Sequence, residues 1–259
     1  MLPVSLDTAL LLSGPRLWLL TFAAIMLLCM LPAWRRSRHD SRRLRDVGVW
    51  VKPLKFMAAL ALFALTTALL MLWAGPADPA LRPIAQLLIA TATFEVVYIT
   101  LQASRAQESH YNVSSALGIT MNALMALGAV GLTASQAWLA LVIVRHDPHW
   151  LASLPTLGVV CGLALTFVLT TASGFMLGGR RAPRGVGLPV FGWHRRADLR
   201  PAHFIGVHAQ QFVPGCGLLA ACLPWGGQAL FAVLTLAWLA AWVLAIVAEL
   251  KGAPAAVPA

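Results

Sequence analysis

Three groups of polar residues interrupt an otherwise apolar chain, and each could do chemistry. The first begins at Glu95, a lone carboxyl in an apolar stretch, with Gln102 on the same helical face and Arg105 near the end of the stretch. An ionisable group inside a membrane is costly, so this carboxyl is expected to relay a proton, coordinate a cation or bind a substrate amine. The structural alternative is a protonated carboxyl, or a carboxylate paired with a basic residue of another helix.

The second group follows directly and occupies residues 105–112, a polar connection between two apolar stretches. Its sharpest functional candidate is His110, as a metal ligand or a substrate contact. The plainer reading is that Ser109 or Asn112 caps the next helix. Lys55 enters another apolar stretch at the same level, where it is either a counter-ion for the lone carboxyl or extends to the membrane interface.

The third group contains two imidazoles and an amide, His203, His208 and Gln211. Asp198 precedes them and could cap a helix that starts there. His208 and Gln211 are three residues apart and share a helical face, whereas the spacing of five between the histidines does not suit one metal on one helix. A metal would need a further ligand such as His110 or Glu95. Hydrogen-bonded packing of these side chains is the structural alternative.

Haem is the cofactor that these imidazoles could bind. His203 or His208 would provide one axial ligand and His110 the second. No second histidine is well placed inside another apolar stretch, which weighs against this arrangement. A haem b group therefore remains an alternative to a site without a cofactor.

The composition requires that these groups be positioned by membrane helices. The chain has 259 residues, of which 59% are hydrophobic and only 11% charged, and its mean hydropathy is +0.78. Soluble globular proteins carry about 25% charged residues. A large soluble enzyme, a disordered chain and a nucleic-acid-binding domain are therefore excluded, and the net charge of +10 is read as a topology signal.

Windows without charged residues predict where the chain crosses the membrane. Crossing the hydrocarbon core takes about 20 apolar residues in a helix. The segments are long, rich in Leu and Ala and without strict alternation, which favours helices over strands. The predicted fold is an all-α bundle forming a single transmembrane domain over 1–259, with about seven spans at 15–34, 55–74, 83–104, 115–144, 151–178, 202–223 and 228–249. Gly128 and Gly131 could kink the fourth span, which is too long for a straight crossing.

The distribution of Lys and Arg predicts the orientation. Sixteen of the 19 basic residues fall on one side of seven alternating spans, mostly in loops 35–54 and 179–201. Basic loops stay in the cytoplasm, so we expect the N-terminus outside and the C-terminus inside. These residues would contact anionic lipid headgroups. An anionic substrate or partner at the same face is the alternative.

Three strings of the sequence resemble a family of bacterial multi-pass membrane proteins of uncharacterised activity. They are Lys-Pro-Leu-Lys-Phe at 52–56, Ser-His-Tyr-Asn at 109–112, and His-Phe-Ile-Gly-Val-His-Ala-Gln-Gln at 203–211; the stretch 188–193 looks similar as well. The resemblance implies a location in the bacterial inner membrane and suggests that the three polar groups form one constellation. It implies no activity.

These observations favour proton-coupled or small-molecule transport, in which the Glu95 carboxyl titrates and the His/Gln face binds the solute. The alternatives are a haem- or metal-binding redox protein, a membrane-embedded enzyme acting on a lipid-like substrate, and a structural subunit. The last predicted span contains no lysine, which excludes a retinal Schiff base there, and the sequence has no Walker A or His-Glu-x-x-His motif. The oligomeric state is not indicated.

Overall fold

Long apolar helices make up most of the computed structural model, which is 81% helical and describes residues 8–44, 47–110, 115–178, 193 and 198–252. The elements follow in chain order, and a short 3-10 turn, Met71–Trp73, continues α3. They are α1 (Thr8–Leu11), α2 (Gly14–His39), β1 (Arg43–Leu44), β2 (Val47–Gly48), α3 (Val51–Leu70), α4 (Leu81–Ser104), α5 (Ala116–His146), α6 (Leu154–Gly178), α7 (Arg200–Val207), α8 (Ala209–Ala221) and α9 (Gly227–Gly252). The strands pair as a small antiparallel hairpin.

Within the described residues, six helices are long and apolar enough to cross a membrane. They are Gly14–His39, Val51–Trp73, Leu81–Ser104, Ala116–His146, Leu154–Gly178 and Gly227–Leu250. Six of the predicted spans coincide with them. The predicted all-helical fold and the multi-pass membrane character are therefore confirmed.

The sixth predicted span, 202–223, is formed by two shorter helices. α7 ends and α8 begins on either side of His208, whose backbone is no longer helical at ψ 5°. Neither helix alone has the length of a crossing. The charge-free sequence predicted one continuous helix here, so the break is a difference from the prediction. A seventh crossing and the orientation in the membrane stay predictions.

Small residues allow α6 and α8 to approach at backbone distance. A Cβ atom added at Gly217 on α8 would lie 2.5 Å from the carbonyl oxygen of Leu154 and 3.0 Å from Cα of Gly158, both on α6. One turn away, the ring of Pro214 lies against Gly162. Close approach at small residues is how helices associate inside lipid, where no hydrophobic driving force acts between them.

α5 is a continuous helix in which Gly131 has a packing role. The helix continues without interruption through Gly128 and Gly131 and has 31 residues, a length of about 46 Å. A Cβ atom at Gly131 would come within 3.1 Å of the Thr91 side chain of α4. The helix begins at Ser115, whose side chain accepts a hydrogen bond from the Gly118 backbone N–H at 3.1 Å. The predicted capping by Ser109 or Asn112 is therefore wrong for this helix, because it starts several residues later.

The remaining helices differ strongly in how far they are enclosed. α3 is the most enclosed, with 56% of its apolar window buried, and packs mainly against α2. In α9 only 11% of the window is buried. An apolar helix with so little protein contact is suited to contact with lipid. The polar groups of interest lie on the more enclosed helices and on the segments that join them.

Candidate functional site

Glu95 lies in the middle of α4 with its side chain enclosed by protein. The residue is only 5% exposed, and its Oε1 atom has no hydrogen-bond partner in the described part of the chain. Opposite it stands Gly128 of α5, where an added Cβ atom would be 3.5 Å from that same oxygen. The carboxyl thus lies within van der Waals reach of this glycine of α5. A buried acceptor without a donor is costly and requires a reason beyond packing.

Gln102 extends the polar face of α4 by two turns. It is 6% exposed, and its Nε2 donates to the hydroxyl of Tyr98 at 2.8 Å, while its Oε1 has no partner among the described residues. The structure therefore places Gln102 and Glu95 on the enclosed side of the helix, as their spacing predicted. Arg105 caps the end of α4 and is exposed, so it does not join them.

The segment after α4 folds back onto the first turn of α3. Nζ of Lys52 donates to the hydroxyl of Ser109 at 2.6 Å and to Nδ1 of His110 at 2.9 Å. Ser109 Oγ and His110 Nδ1 are 3.2 Å apart, so the three groups form a closed triangle. We call these residues the Lys52 cluster. Sequence analysis missed Lys52 as a candidate because its neighbour Lys55 stands at an equivalent place in the same turn.

Burial keeps the His110 ring neutral, and Lys52 determines its tautomer. An ammonium group only donates hydrogen bonds, so Nδ1 of His110 is an acceptor and the ring proton resides on Nε2. Burial, with further contributions from the charges of Lys52 and His203, lowers the pKa of His110 to about 3. The imidazole is therefore neutral over the physiological pH range, and it presents an N–H donor.

Electrostatic interactions connect the three polar groups predicted from sequence. The charge of Lys52 acts on Glu95, and His203 acts on His110. The segment after α4 and Lys52 therefore lie within electrostatic range of both the α4 carboxyl and the beginning of α7. Lys55 interacts with Asp198 and Arg200, so Lys52 is the lysine whose charge reaches Glu95.

His203 is held between α7 and α6. Its Nδ1 is 3.2 Å from the hydroxyl of Ser173, and the ring also forms a hydrogen bond with the backbone of Thr170. A Cβ atom at Gly174 would touch the ring at 3.6 Å. The next turn approaches still more closely, because a Cβ at Gly206 would be 2.9 Å from the backbone nitrogen of Thr170. Contacts with α6 therefore determine the position of the His203 ring.

The beginning of α7 is fixed by carboxylates. Asp198 accepts from the backbone N–H of Arg200 at 3.0 Å, and from its guanidinium at 2.7 and 2.6 Å. The backbone N–H of Asp198 in turn donates to the carboxylate of Glu249 on α9. The N-cap residue is Leu199, which makes no side-chain cap hydrogen bond, so Asp198 binds the first backbone N–H of α7 from one position before the cap.

His208 stands at the break between α7 and α8 and begins a chain of hydrogen bonds. Its Nδ1 is 3.2 Å from Oε1 of Gln211, and Gln211 Nε2 donates to Thr66 of α3 at 3.1 Å. The ring of Phe204 packs on His208 with centroids 4.1 Å apart. The expected shared face of His208 and Gln211 is confirmed. A neighbouring amide, Gln210, is fully buried, and neither its Nε2 nor its Oε1 has a partner in the described segments.

The carboxylate of Asp40 connects the end of α2, the beginning of α3 and the end of α4. Asp40 follows α2 and accepts hydrogen bonds from the guanidinium of Arg42, at 2.9 and 2.7 Å, and from Trp50 Nε1 at 2.8 Å. These bonds, the Arg42 side chain first, hold the pKa of Asp40 well below its usual range. Arg42 also donates to the last carbonyl of α4, that of Ser104, at 3.1 Å. Asp40 positions the segment that carries Lys52.

Metal or haem binding at these histidines stays a prediction. Among the described residues, no three His, Cys, Asp or Glu side chains are grouped closely enough to hold a metal ion. Nδ1 of His110 bonds to Lys52 and Nδ1 of His203 lies beside Ser173, so Nε2 is the ring nitrogen that a haem iron would need at both. Asn112 and residues 188–192 lie outside the described residues, as does most of loop 179–201.

Comparison with known proteins provides no relative from which a role could be transferred. No protein-family model matches the chain, and no curated protein sequence or solved structure does so either.

Proposed function

We propose that this membrane protein transports a small polar solute and couples the transport to a proton carried by Glu95. The observation that carries the proposal is the buried Oε1 atom of this carboxyl, which has no donor in the described chain and lies next to a glycine rather than a cation. A carboxyl in such a place is stable when protonated. It loses its proton when water, a solute or a cation approaches.

The other ionisable groups at this end of the bundle are less suited to carry the proton. His110 is neutral and its Nδ1 accepts from Lys52, and Asp198 is in a bidentate pair with Arg200. Glu249 accepts a backbone N–H. By contrast, the residue of α5 that faces the Glu95 carboxyl is Gly128, which has no side chain. The charge of Lys52, on α3, acts on the Glu95 carboxyl. Movement of this one lysine would change the proton affinity of the carboxyl.

The broken helix supports a transport role. Discontinuous helices inside a membrane expose backbone groups and are found where transporters bind their substrates. The break at His208 lies on a helix pair that also carries His203, and Gln211 links it to α3. We infer that α7 and α8 together form the seventh crossing, with the basic loops in the cytoplasm of a bacterial inner membrane. The resemblance noted in the sequence supports this location.

Transport assays in proteoliposomes test the proposal. Vesicles containing the full chain receive a panel of radiolabelled amino acids, organic acids and amines, with and without an inward proton gradient. We expect the gradient to drive accumulation of a panel member, and Glu95→Gln to abolish this gradient-driven accumulation. Glu249→Gln is the matched control, because a glutamine there keeps the acceptor oxygen. Undiminished proton-driven accumulation in Glu95→Gln, or no accumulation of any panel member, would contradict the proposal.

A further inference from the structure

The enclosed face of α4 offers two hydrogen-bond acceptors that the protein itself does not use. Oε1 of Glu95 and Oε1 of Gln102 are both buried, and the described residues supply neither with a donor. The two residues are two helical turns apart, about 10 Å along the axis. Acceptors of this kind suit a ligand group that brings N–H donors, and an ammonium group brings three.

The Lys52 cluster offers the opposite chemistry. Its ammonium group carries a positive charge at the beginning of α3, whose first turn contains no acidic residue. Its imidazole carries an N–H on Nε2, because Lys52 donates to the other ring nitrogen. Positive charge, an N–H donor and a helix N-terminus together favour a carboxylate.

The two chemistries lie within electrostatic range of each other, since the charge of Lys52 acts on Glu95. A simple anion placed here would leave the acceptors of α4 without donors, and a simple cation would be repelled by the lysine. We propose that the site binds a small zwitterion, with its carboxylate at the Lys52 cluster and its ammonium group at the acceptors of α4. This inference rests on the proposed transport function and names its substrate class.

A zwitterion also fits proton coupling. Its ammonium group would favour the ionised form of Glu95, so binding would release the proton that the empty carboxyl holds. The ligand adds no net charge to the site, which limits the cost of enclosing it among apolar helices. Because the ammonium group could contact either acceptor of α4, the distance between the two charged groups of the ligand is determined by testing zwitterions of different chain length.

Thermal stabilisation of the purified full chain tests the inference. The protein is placed in phosphatidylglycerol nanodiscs, whose headgroups carry no ammonium group. The probes are L-alanine, 4-aminobutyrate and 6-aminohexanoate. Each is compared with the amine and the carboxylic acid of the same length: ethylamine and propionate, butylamine and butyrate, hexylamine and hexanoate. We expect one zwitterion to raise the melting temperature, with its matched amine and acid binding at least about tenfold more weakly.

Two variants identify the groups that bind. Lys52→Met and Glu95→Gln are each expected to weaken binding of the zwitterion at least about tenfold, and Lys52→Arg to retain much of it. Arg82→Met, an exposed residue at the far end of α4, is the control that should leave binding unchanged. Melting temperatures without ligand show whether each variant is folded.

Equal binding of an amine or an acid, or no stabilisation by any zwitterion of the series, would overturn the inference. These outcomes are separate from the test of transport. If Glu95→Gln still abolishes proton-driven accumulation of another solute, only the substrate class is wrong. If zwitterions bind but coupling survives in Glu95→Gln, the binding site stands and the transport mechanism is wrong.

Discussion

The contact between α6 and α8 leads to a quantitative prediction about one methyl group. Ordinary contact for a Cβ atom begins at 3.4 Å, and a Cβ at Gly217 would be 2.5 Å from the Leu154 carbonyl oxygen and 3.0 Å from Cα of Gly158. Both neighbours are backbone atoms and cannot rotate away. Gly217→Ala therefore requires the two helices to separate by about 1 Å, and overpacking of this kind costs about 1–3 kcal/mol.

Gly215 provides the matched control, because it lies two residues away on the exposed side of the same helix, with nothing within 4 Å of its Cβ position. Gly215→Ala removes a glycine from a helix interior and should leave stability unchanged or raise it by up to about 1 kcal/mol. The two variants have the same composition. Any difference between them reports the helix contact and not the change in helix propensity.

Thermal unfolding in detergent, followed by tryptophan fluorescence, measures the difference. We expect Gly217→Ala to melt several degrees below Gly215→Ala, since about 1 kcal/mol corresponds to about 2–4 °C for a chain near this size. The displaced α8 should also weaken the contact of Gln211 with Thr66, and transport should fall with it. Equal melting temperatures of the two variants would refute the close packing of α6 on α8.

Two further predictions concern groups outside the membrane-spanning segments. Because its pKa is lowered to about 3, His110 should show no titration between pH 5 and 8 in histidine-selective NMR. Its contribution to the stability of the fold should be complete above about pH 6.5 and should decline as the pH falls toward 3. A titration midpoint near 6.5 in the folded protein would contradict this. Lys52→Met should raise that pKa, because the charge of the lysine is one of its causes. Asp40→Asn should lower the melting temperature at neutral pH. In the wild type, the contribution of Asp40 to stability should be lost only below about pH 4, because the pKa of this carboxyl is depressed. Equal melting temperatures of Asp40→Asn and wild type at pH 7 would count against this role.

Most of the helices could be predicted because length and the absence of charge suffice to identify a membrane helix. The break at His208 could not be predicted, since residues 201–248 contain no charged side chain and none of their three prolines stands at the break. One of them, Pro214, lies inside α8. The break lies where α7 contacts the backbone of α6 at Gly206. Such a contact depends on tertiary packing that the hydropathy pattern does not contain.

Most members of the candidate site could be predicted from the sequence, but Lys52 and the pairings between side chains could not. Glu95 is recognisable because it is a carboxyl in an apolar stretch. The choice of Lys52 over Lys55 depends on how the segment after α4 folds back, and residues three apart in one turn look equivalent in sequence. Asp40 is hard to recognise as a structural residue because it stands among arginines whose pattern indicates membrane topology.

Unsatisfied polar groups on α8 lower the stability of the fold, which argues that this helix has a functional role. Pro214 lacks an N–H and leaves a backbone carbonyl of the preceding turn without its helical donor. Gln210 is fully buried, and both of its amide atoms are unpartnered in the described chain. In a membrane interior no water compensates for such groups, so unsatisfied backbone is tolerated only inside protein or along a polar path. A purely structural subunit would be more stable with an unbroken apolar helix here. α6 holds the broken helix at backbone contact on one side. On the other side, within the described residues, one side-chain hydrogen bond from Gln211 joins it to Thr66 of α3. The α3 side is therefore where a solute could separate these helices at the smallest cost.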